Sequence, residues 1–383
     1  MTKLQFNTRD LRDALRWVVD HINPTPTNPS DAAILMSPTQ DGYVVLTGAR
    51  DQSAARARLA YTGDTLEEET AIHAHSLHTV VRSAPGSEVV LTLNDSNAIV
   101  KSGPARSRIP YLSADDVSAA RQAVQIPRQG TVNAAEFISA INSLTNIPVE
   151  DAAAPQFSGI KVDLKDGDKL AIAATDRSIL GATKIGFKAQ EQDVESEDLE
   201  LDILIPNRTL GPIARALPTD GEVWIHWENE NQRRLALSTD DLWVSFTLLE
   251  PSKFPPHYED LLAAPDGTTF EVDRKAFSAV LARAGTALGR EGFVFGISTE
   301  TVEGNGGEFT IKASGAFDHE EELTARVTGE SIDAAVVSAQ HLTQAVKSAN
   351  GDTATMVLGE RHVMITSDYS DHAKYVVPRM KNR

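Results

Sequence analysis

The chain has 383 residues, 41% hydrophobic and 23% charged, a composition that excludes disorder over most of its length and allows several domains. It has no cysteine, which excludes disulfide bonds, thiolate metal sites and a cysteine nucleophile. The 54 aspartates and glutamates outnumber the 36 lysines and arginines, for a net charge of -18. A nucleic-acid-binding role therefore requires positive charge gathered on one face.

No apolar run approaches the roughly 18 to 20 residues that cross a bilayer. The first residues also lack the apolar stretch of a signal peptide. We therefore expect the mature protein to be the whole chain, to be cytoplasmic and to have no membrane partner.

The first part of the chain predicts a helix, a hairpin, a shorter helix and closing strands. Apolar residues recur at helical spacing over 7–22. Apolar runs separated by turn residues follow at 34–60, then a helical segment at 73–86 and alternating residues at 87–103.

The same order of elements is predicted in the middle of the chain. A helix at 133–147 precedes a hairpin at 157–185, a shorter helix at 206–219 and strands at 221–239.

The order recurs once more in the last part. Here the predicted helix is 273–288, the hairpin 295–327, the shorter helix 338–349 and the closing strands 352–368.

Start and stop signals bound these helices. Asn133 and Asp273 are predicted helix N-caps. The shorter helices are predicted to end at glycines, namely Gly86, Gly221 and Gly351.

Three repeats of one order predict three domains, 1–126, 127–266 and 267–383. Turn-rich, polar segments at 113–130 and 250–267 suggest the boundaries, and the acidic connector 189–199 is expected to be a solvated loop. The predicted fold class is α+β, with two helices packed on antiparallel sheets in each copy.

Four short segments then carry a resemblance to a known family. They are Phe157-Ser158-Gly159, the turn ATDRSIL at 174–180, the linker KFPPHY at 253–258, and Tyr375-Val376-Val377-Pro378. They resemble an aliphatic-x-Gly strand, a Thr-Asp-Gly-His-Arg-Leu turn, a Phe-Pro-x-Tyr linker and a Tyr-Val-Val-Met-Pro-Met-Arg tail. Together they resemble the bacterial DNA polymerase III beta subunit family, the DNA sliding clamps, of which this chain looks like a divergent member.

The resemblance implies a ring-forming homodimer of DNA-clamp domains that encircles duplex DNA without reading its sequence. Its implied partners are the DNA polymerase III alpha subunit, the clamp loader and other proteins with clamp-binding motifs. It implies a processivity factor, without catalysis or cofactors. Two alternatives stay open: a divergent clamp paralogue outside the main replicase, and a three-repeat enzyme or small-molecule receptor.

In this family the helices line the DNA channel, and the predicted helices carry more basic than acidic residues. Ten basic residues stand against five acidic ones there, and the basic set is Arg9, Arg12, Arg16, Arg82, Arg208, Arg215, Arg274, Lys275, Arg283 and Lys347. The alternative is that the arginines of 7–22 are only the solvated face of an amphipathic helix.

The resemblance also implies a groove for partner peptides. Its residues here are Phe157, Thr175, Arg177, Leu180, Pro255, Leu261, Ser338, His341, Val376, Val377, Pro378 and Met380. The alternative for the apolar members is an ordinary place in the core. Deletion of 376–383 is expected to remove one wall of the groove and to leave the dimer and the helices intact.

The chain departs from the family pattern in this groove. Arg177 and Ser178 replace Gly and His in the turn, Asp260 replaces a basic residue, and 378–381 read Pro-Arg-Met-Lys. We therefore expect the peptide preference to differ from the usual one.

The implied subunit interface joins an edge strand of the first domain to the third domain. The matching residues are Ile109 and Tyr111 on one side, and Thr286 and Ala287 on the other.

Metal and catalytic sites are not predicted. His73, His75 and His78 are close in sequence but do not share one helical face, and no carboxylate follows at ligand spacing. His319 lies among acidic residues, which indicates a solvated strand or loop. The chain contains no phosphate-binding loop, nucleophile elbow or dinucleotide fingerprint.

Overall fold

The computed structural model describes most of the chain, and the expected loops at 113–125 and 191–199 lie outside the described residues, as do Lys253 and Lys381. The described ranges are 1–20, 32–50, 53–94, 96–112, 126–165, 167–190, 200–228, 233–251, 254–289, 293–302, 306–367 and 370–380.

All six predicted helices are present in the described part of the chain. They are α1 (Thr8–Val19), α2 (Ala74–Arg82), α3 (Ala134–Leu144), α4 (Asn207–Ala216), α5 (Arg274–Leu288) and α6 (Ala339–Ser348). None of the described helices is long and apolar enough to span a bilayer.

The predicted helix caps are confirmed, but the predicted ends are wrong. The Asn133 side chain accepts a hydrogen bond from the backbone N–H of Glu136 at 3.1 Å, and Asp273 accepts one from Ala276 at 2.7 Å. The shorter helices α2, α4 and α6 end at Arg82, Ala216 and Ser348, several residues before the glycines. Gly221 and Gly351 have positive φ angles, so they serve the turns that follow the helices.

Strands fill the rest of each third. The first third contains β1 (Thr2–Asn7), β2 (Ala33–Pro38), β3 (Tyr43–Arg50), β4 (Ser53–Ala60), β5 (Thr62–Gly63), β6 (Thr70–His73), β7 (Glu88–Leu93), β8 (Asn97–Ser102) and β9 (Ala105–Leu112). The middle third contains β10 (Arg128–Asn133), β11 (Gly159–Lys165), β12 (Lys169–Thr175), β13 (Leu180–Gly186), β14 (Lys188–Ala189), β15 (Asp202–Pro206), β16 (Glu222–His226), β17 (Arg234–Ser238) and β18 (Leu242–Thr247). The last third contains β19 (Gly267–Asp273), β20 (Val294–Val302), β21 (Gly306–Ser314), β22 (Asp318–Thr328), β23 (Ile332–Ser338), β24 (Thr353–Gly359), β25 (His362–Ser367) and β26 (Ser370–Met380).

The chain forms two compact units, and the strands of the middle third are divided between them. The first unit comprises Met1–Thr131 and Ala216–Thr247, and the second comprises Val132–Arg215 and Leu248–Arg383. In the first unit, β18 pairs antiparallel with β4, with Ala57 opposite Leu242. In the second, β13 pairs antiparallel with β26. The predicted mixture of helices and antiparallel sheets is therefore confirmed.

The first unit has a core beneath α1. Leu11, Leu15 and Val18 of this helix are buried, which accounts for the apolar stripe in the sequence. Trp17 is also buried, and its indole N–H donates to the carbonyl of Trp243 at 3.2 Å.

The core of the second unit is aromatic under α5. The rings of Phe270 and Phe309 stack at 4.5 Å, and Phe277 of α5 meets Phe309 edge-on at 5.2 Å. Tyr375 is also buried, and its hydroxyl donates to the carbonyl of Ser348 at 2.9 Å.

Candidate functional site

Three distant segments meet at an apolar floor in the second unit. Leu180 of β13 lies opposite Val376 of β26 in the ladder. Both pack with Phe254 and Tyr258 of the linker and with Met364 of β25. The structure thus brings together the turn, the linker and the tail that the sequence singled out.

The deepest of the predicted groove residues are core side chains. Leu180 is 5% exposed, Val376 6% and Val377 0%. These side chains can form only the floor of a groove. The accessible apolar surface comes from Leu261 and Met380, which are 51% and 48% exposed.

The strand β26 is an interior strand. It is hydrogen-bonded to β13, to β25 along 362–365 and to β23 at Val336 and Val337. Deletion of 376–383 removes the pairing of β26 with β23, part of its pairings with β13 and β25, and two buried valines, so it also weakens the second unit. That the shortened protein keeps its dimer and its helices stays a prediction.

The linker is fixed to the sheet by a buried polar network. Tyr258 begins the 3₁₀ helix Tyr258–Leu262, and its hydroxyl donates to Oδ2 of Asp163 at 3.2 Å. Lys161 pairs with Asp163 at 3.4 Å and also contacts Asp202. Burial, followed by the charge of Asp163, raises the pKa of Tyr258, so the hydroxyl stays protonated and remains a donor.

The turn at 175–179 is shaped by its own side chains. Thr175 Oγ1 donates to the carbonyl of Ile179 at 2.7 Å and accepts the N–H of Arg177 at 3.2 Å. Asp176 Oδ1 accepts the N–H groups of Ser178 and Ile179 at 2.8 and 2.9 Å. Arg177 has a φ of 86°, a conformation that suits the glycine found there in the resembled family.

Arg177 covers Phe157 at the edge of the groove. Its guanidinium carbon lies 4.6 Å from the centre of the Phe157 ring, within cation–π range. Its Nη2 lies 3.1 Å from Asp151 Oδ2, with both side chains partly exposed. A residue that the family pattern lacks therefore occupies the rim of this groove.

His341 and Ser338 form a polar end to the groove. His341 Nε2 lies 3.2 Å from Asp176 Oδ2, and both side chains are largely buried. Ser338 caps α6 by accepting the N–H of His341 at 3.4 Å. Pro255 is half-buried and Pro378 is exposed. All of the predicted groove residues lie in the second unit.

A second concavity in this unit was not predicted. It is a cleft of about 570 Å³, and α6 forms one wall with Gln340, Thr343, Gln344 and Lys347. These residues recur at helical spacing, which is the signal the sequence offered. The lining outside α6 comes from segments that only the fold brings together, which are Asn146, Ile147, Val149, Asp176, Gly285 and Phe295.

The predicted channel cations differ in how far their charge is already paired. Arg9 pairs with Asp13 at 3.9 Å, Lys275 with Asp352 at 3.4 Å, and Arg283 with Glu321. Arg274 donates through Nε to the carbonyl of Gly351, and Arg12 is half-buried. Within the described residues, the predicted cations that are exposed and form no ion pair are Arg16, Arg82, Arg208, Arg215 and Lys347.

The predicted interface residues occupy unlike environments. Ile109 is 2% exposed and Tyr111 is half-buried. Thr286 is exposed, and its hydroxyl donates to the carbonyl of Arg283 at 2.6 Å. Ala287 is 0% exposed, so its side chain offers no surface to a partner.

Two strands have open backbone edges with opposite charges. Among the described residues, 105–110 of β9 pair only with β8, and 318–325 of β22 pair only with β21. The exposed charged side chains are Arg106 and Arg108 on β9, and Asp318, Glu320 and Glu322 on β22. The sequence indicated that the acidic segment is solvated. It could not show that one backbone edge of this strand is unpaired, because that depends on which distant strands lie beside it.

The clustered histidines have local roles. His73 is the N-cap of α2, and its Nδ1 accepts the N–H of Ser76 at 3.2 Å. His319 lies on β22, where its Nε2 is 3.2 Å from Glu321. Across the described ranges, no three histidine or carboxylate side chains gather as metal ligands.

Comparisons with known proteins give one consistent result. A family model for the DNA polymerase III beta subunit, N-terminal domain, matches residues 2–120. The beta sliding clamp of Micrococcus luteus is 25% identical over 215 residues, which is 56% of this chain and 66% of that protein, just under two thirds of it.

Solved structures match the fold along the whole chain. A DnaN sliding clamp from Pseudomonas aeruginosa, determined bound to griselimycin, superposes with a TM-score of 0.84 at 16% identity over 100% of both chains. The DNA polymerase sliding clamp of Bacillus subtilis gives a TM-score of 0.80 at 17% identity, also over 100% of both chains.

Proposed function

We propose that the chain is a divergent member of the DNA polymerase III beta subunit family, as its sequence motifs predicted, and that it acts as a DNA sliding clamp. Members of this family are non-catalytic processivity factors, so the proposed function includes no catalysis, and the alternative of an enzyme or receptor is not favoured. The observation that carries the proposal is the assembly of the turn, linker and tail at one site.

We propose that the chain contains three clamp domains, 1–126, 127–266 and 267–383. Support comes from the order of elements, because each third has a strand leading into a helix, further strands, a shorter helix and closing strands. The two compact units are compatible with this division, since neighbouring domains of one chain share sheet edges.

The proposed DNA partner is duplex DNA, encircled and contacted through its backbone, which places the protein in the cytoplasm with the chromosome. The five exposed helix cations that form no ion pair with a described residue can contact phosphates without base readout. Their small number suits a ring that must move, because every neutralised phosphate strengthens binding and its dependence on salt.

This proposal is tested by loading the protein on circular duplex DNA and then cutting the circle. We expect retention on the circle and release after cutting. A variant with Arg16→Glu, Arg82→Glu and Arg208→Glu should be retained less. The matched control changes the same charge at exposed positions outside the helices, with Lys3→Glu, Lys169→Glu and Arg233→Glu. Equal loss in both variants contradicts a specific role for the helix cations.

We propose that the groove binds partner peptides, including those of a DNA polymerase III alpha subunit, a clamp loader and other clamp-binding proteins. An extended peptide can place apolar side chains on Leu261 and Met380 above the floor at Leu180 and Val376. The Pseudomonas aeruginosa protein was determined bound to griselimycin, so griselimycin is a first ligand to test for binding to this chain.

A homodimer is the proposed assembly. The open edge of β9 carries Arg106 and Arg108, and the open edge of β22 carries acidic residues. Pairing of β9 in one subunit with β22 in a second subunit satisfies both edges and places opposite charges together. Tyr111 and Thr286 are the predicted interface residues that retain accessible surface.

A further inference from the structure

The cleft beside the groove has the dimensions of a binding site. Its volume of about 570 Å³ lies within the roughly 300 to 1,000 Å³ typical of ligand clefts. None of the predicted groove residues lines it. The cleft is therefore a separate surface of the second unit.

The cleft has an apolar side and an amide-rich side. Val149 is 50% exposed at its edge and provides the accessible apolar surface, whereas Ile147 and Phe295 are 0% exposed and lie beneath the floor. Gln340 and Gln344 line it from α6. The Gln344 amide nitrogen already donates to the carbonyl of Asn146, whereas the Gln340 amide is a group that can bond to peptide backbone. This combination suits an extended peptide better than a small apolar molecule.

The charged side chains of the cleft favour the binding of an anion, because its acidic residue already has partners and its lysine has none among the described residues. Asp176 is already satisfied by His341 and by two backbone N–H groups of its own turn. Lys347 is exposed and forms no ion pair with any described residue. A ligand that enters the cleft therefore meets one unpaired cation, for which a carboxylate is the complementary group.

The cleft adjoins the proposed groove at one contact between two side chains. His341 belongs to the polar end of the groove, whereas Asp176, 3.2 Å away, lines the cleft. We propose that the cleft is a second docking site, which holds the continuation of a partner peptide bound in the groove and pairs an acidic residue of that peptide with Lys347. The inference rests on the proposed function of the groove.

Gly285 allows the cleft to be filled without disturbing the fold. A Cβ atom added at Gly285 has no other atom within 4 Å. Gly285→Leu therefore extends into the cleft and also removes a glycine from a helix interior, which favours the helix. Ala279→Leu is the matched control, because Ala279 is exposed on the same helix and lies outside the lining.

The probes are linear peptides selected by display on the full-length protein and long enough to cross both sites. We expect Gly285→Leu to weaken their binding by about tenfold or more, as loss of a well-packed anchor does. Ala279→Leu should bind them like the unsubstituted protein. Shortened peptides that cover the groove alone should not distinguish the two variants.

The groove and the cleft can fail independently in this experiment. Leu261→Asp changes an exposed groove residue, so it should weaken both the long and the shortened peptides. If Leu261→Asp weakens binding and Gly285→Leu does not, the cleft inference is wrong and the groove stands. If neither matters, the proposed groove is wrong as well. If Gly285→Leu instead weakens retention on circular DNA, the cleft contacts DNA and the inference is overturned.

A charge exchange tests the contact with Lys347. Replacing the acidic residue of a selected peptide with its amide should weaken binding to the unsubstituted protein. Lys347→Glu should reverse the preference, so that a lysine at that peptide position binds better. If Lys347 has only a structural role, the preference does not reverse. A preference that stays the same in Lys347→Glu therefore overturns the proposed pairing.

Discussion

The hydroxyl of Tyr258 donates a hydrogen bond to Oδ2 of Asp163 at 3.2 Å, and this bond joins the linker to the interior of the second unit. Phe254 meets Tyr258 edge-on at 5.5 Å and packs on Leu180 and Val376. The groove wall is therefore held by one apolar and one polar anchor. Leu261 lies three residues after Tyr258, so the packing of Phe254 and the hydrogen bond of Tyr258 together fix its position.

Tyr258→Phe is expected to lower the free energy of unfolding by about 1 to 3 kcal/mol, because Asp163 keeps its burial and loses a donor. Urea denaturation measures the change. Tyr43→Phe is the control, since the hydroxyl of Tyr43 has no hydrogen bond among the described residues while its ring carries the Arg58 contact. Equal stability of the two variants argues against the anchor.

At position 177, two substitutions separate backbone strain from side-chain contacts. Arg177→Gly and Arg177→Ala both lose the contacts with Phe157 and Asp151. Only glycine accepts the φ of 86° without strain. We expect the glycine variant to be more stable than the alanine variant by about 1 kcal/mol. Thermal or urea unfolding of the pair provides the measurement, and an alanine variant of equal or greater stability contradicts it.

His226 makes the first unit sensitive to acid. Its Nδ1 lies 3.1 Å from the carbonyl of Ile126 and its Nε2 2.8 Å from Ser238 Oγ, in a buried site. Burial lowers the pKa of His226 below its usual 6.5. The unfolded chain then binds the proton more readily, so protonation favours unfolding. The stability associated with neutral His226 is complete above the unfolded pKa and declines as the pH falls below about 6.5.

The test compares unfolding free energies at pH 7 and pH 5 for the natural protein and His226→Gln. We expect the natural protein to lose more stability between these values. His78→Gln is the control. Burial also lowers the pKa of His78, but His78 is only half-buried, so this substitution should change the pH dependence less than His226→Gln does. An unchanged pH dependence in His226→Gln assigns the acid sensitivity to other groups.

Charge reversal at the open edge of β9 is expected to dissociate the proposed dimer. Arg106→Glu with Arg108→Glu should yield monomers in sedimentation at micromolar concentration, since like charges then face each other across subunits. Mixing that variant with Glu320→Arg and Glu322→Arg should restore dimers. A variant with Lys3→Glu and Arg233→Glu matches the charge change elsewhere on the first unit and should remain dimeric.

Ile109 was predicted to be an interface residue, but it is a poor position for a charge substitution that tests the dimer. With 2% exposure it belongs to the core of its own unit, so a charge there unfolds the protein whether or not it dimerises. Exposed residues on the same strand give a cleaner result.

Local signals in the sequence were sufficient to predict the helices. Apolar spacing predicted all six, and side-chain chemistry identified Asn133 and Asp273 as caps, because both effects act within a few residues. The glycine rule failed because Gly221 and Gly351 serve the turns that follow the helices. The groove residues came from motif resemblance, which periodicity alone could not supply.

Long-range geometry accounts for what was missed. The cleft depends on Gly285, Asp176 and α6 meeting in space, and no spacing in the sequence encodes that meeting. The pairing of Arg283 with Glu321 joins a helix to a strand that lies well beyond it in the chain, so a count of helix charges could not show it. The open edges of β9 and β22 likewise depend on strand order.

The division of the middle third between two sheets limits how this protein can be dissected. Residues 127–266 look like an autonomous module in the sequence, yet β18 completes a sheet with β4 and β13 completes one with β26. Expressed alone, that segment has two unsatisfied strand edges, which favours aggregation. Fragments for biochemical work are better cut along the two compact units than along the repeat, although each unit requires joining two separate stretches of chain.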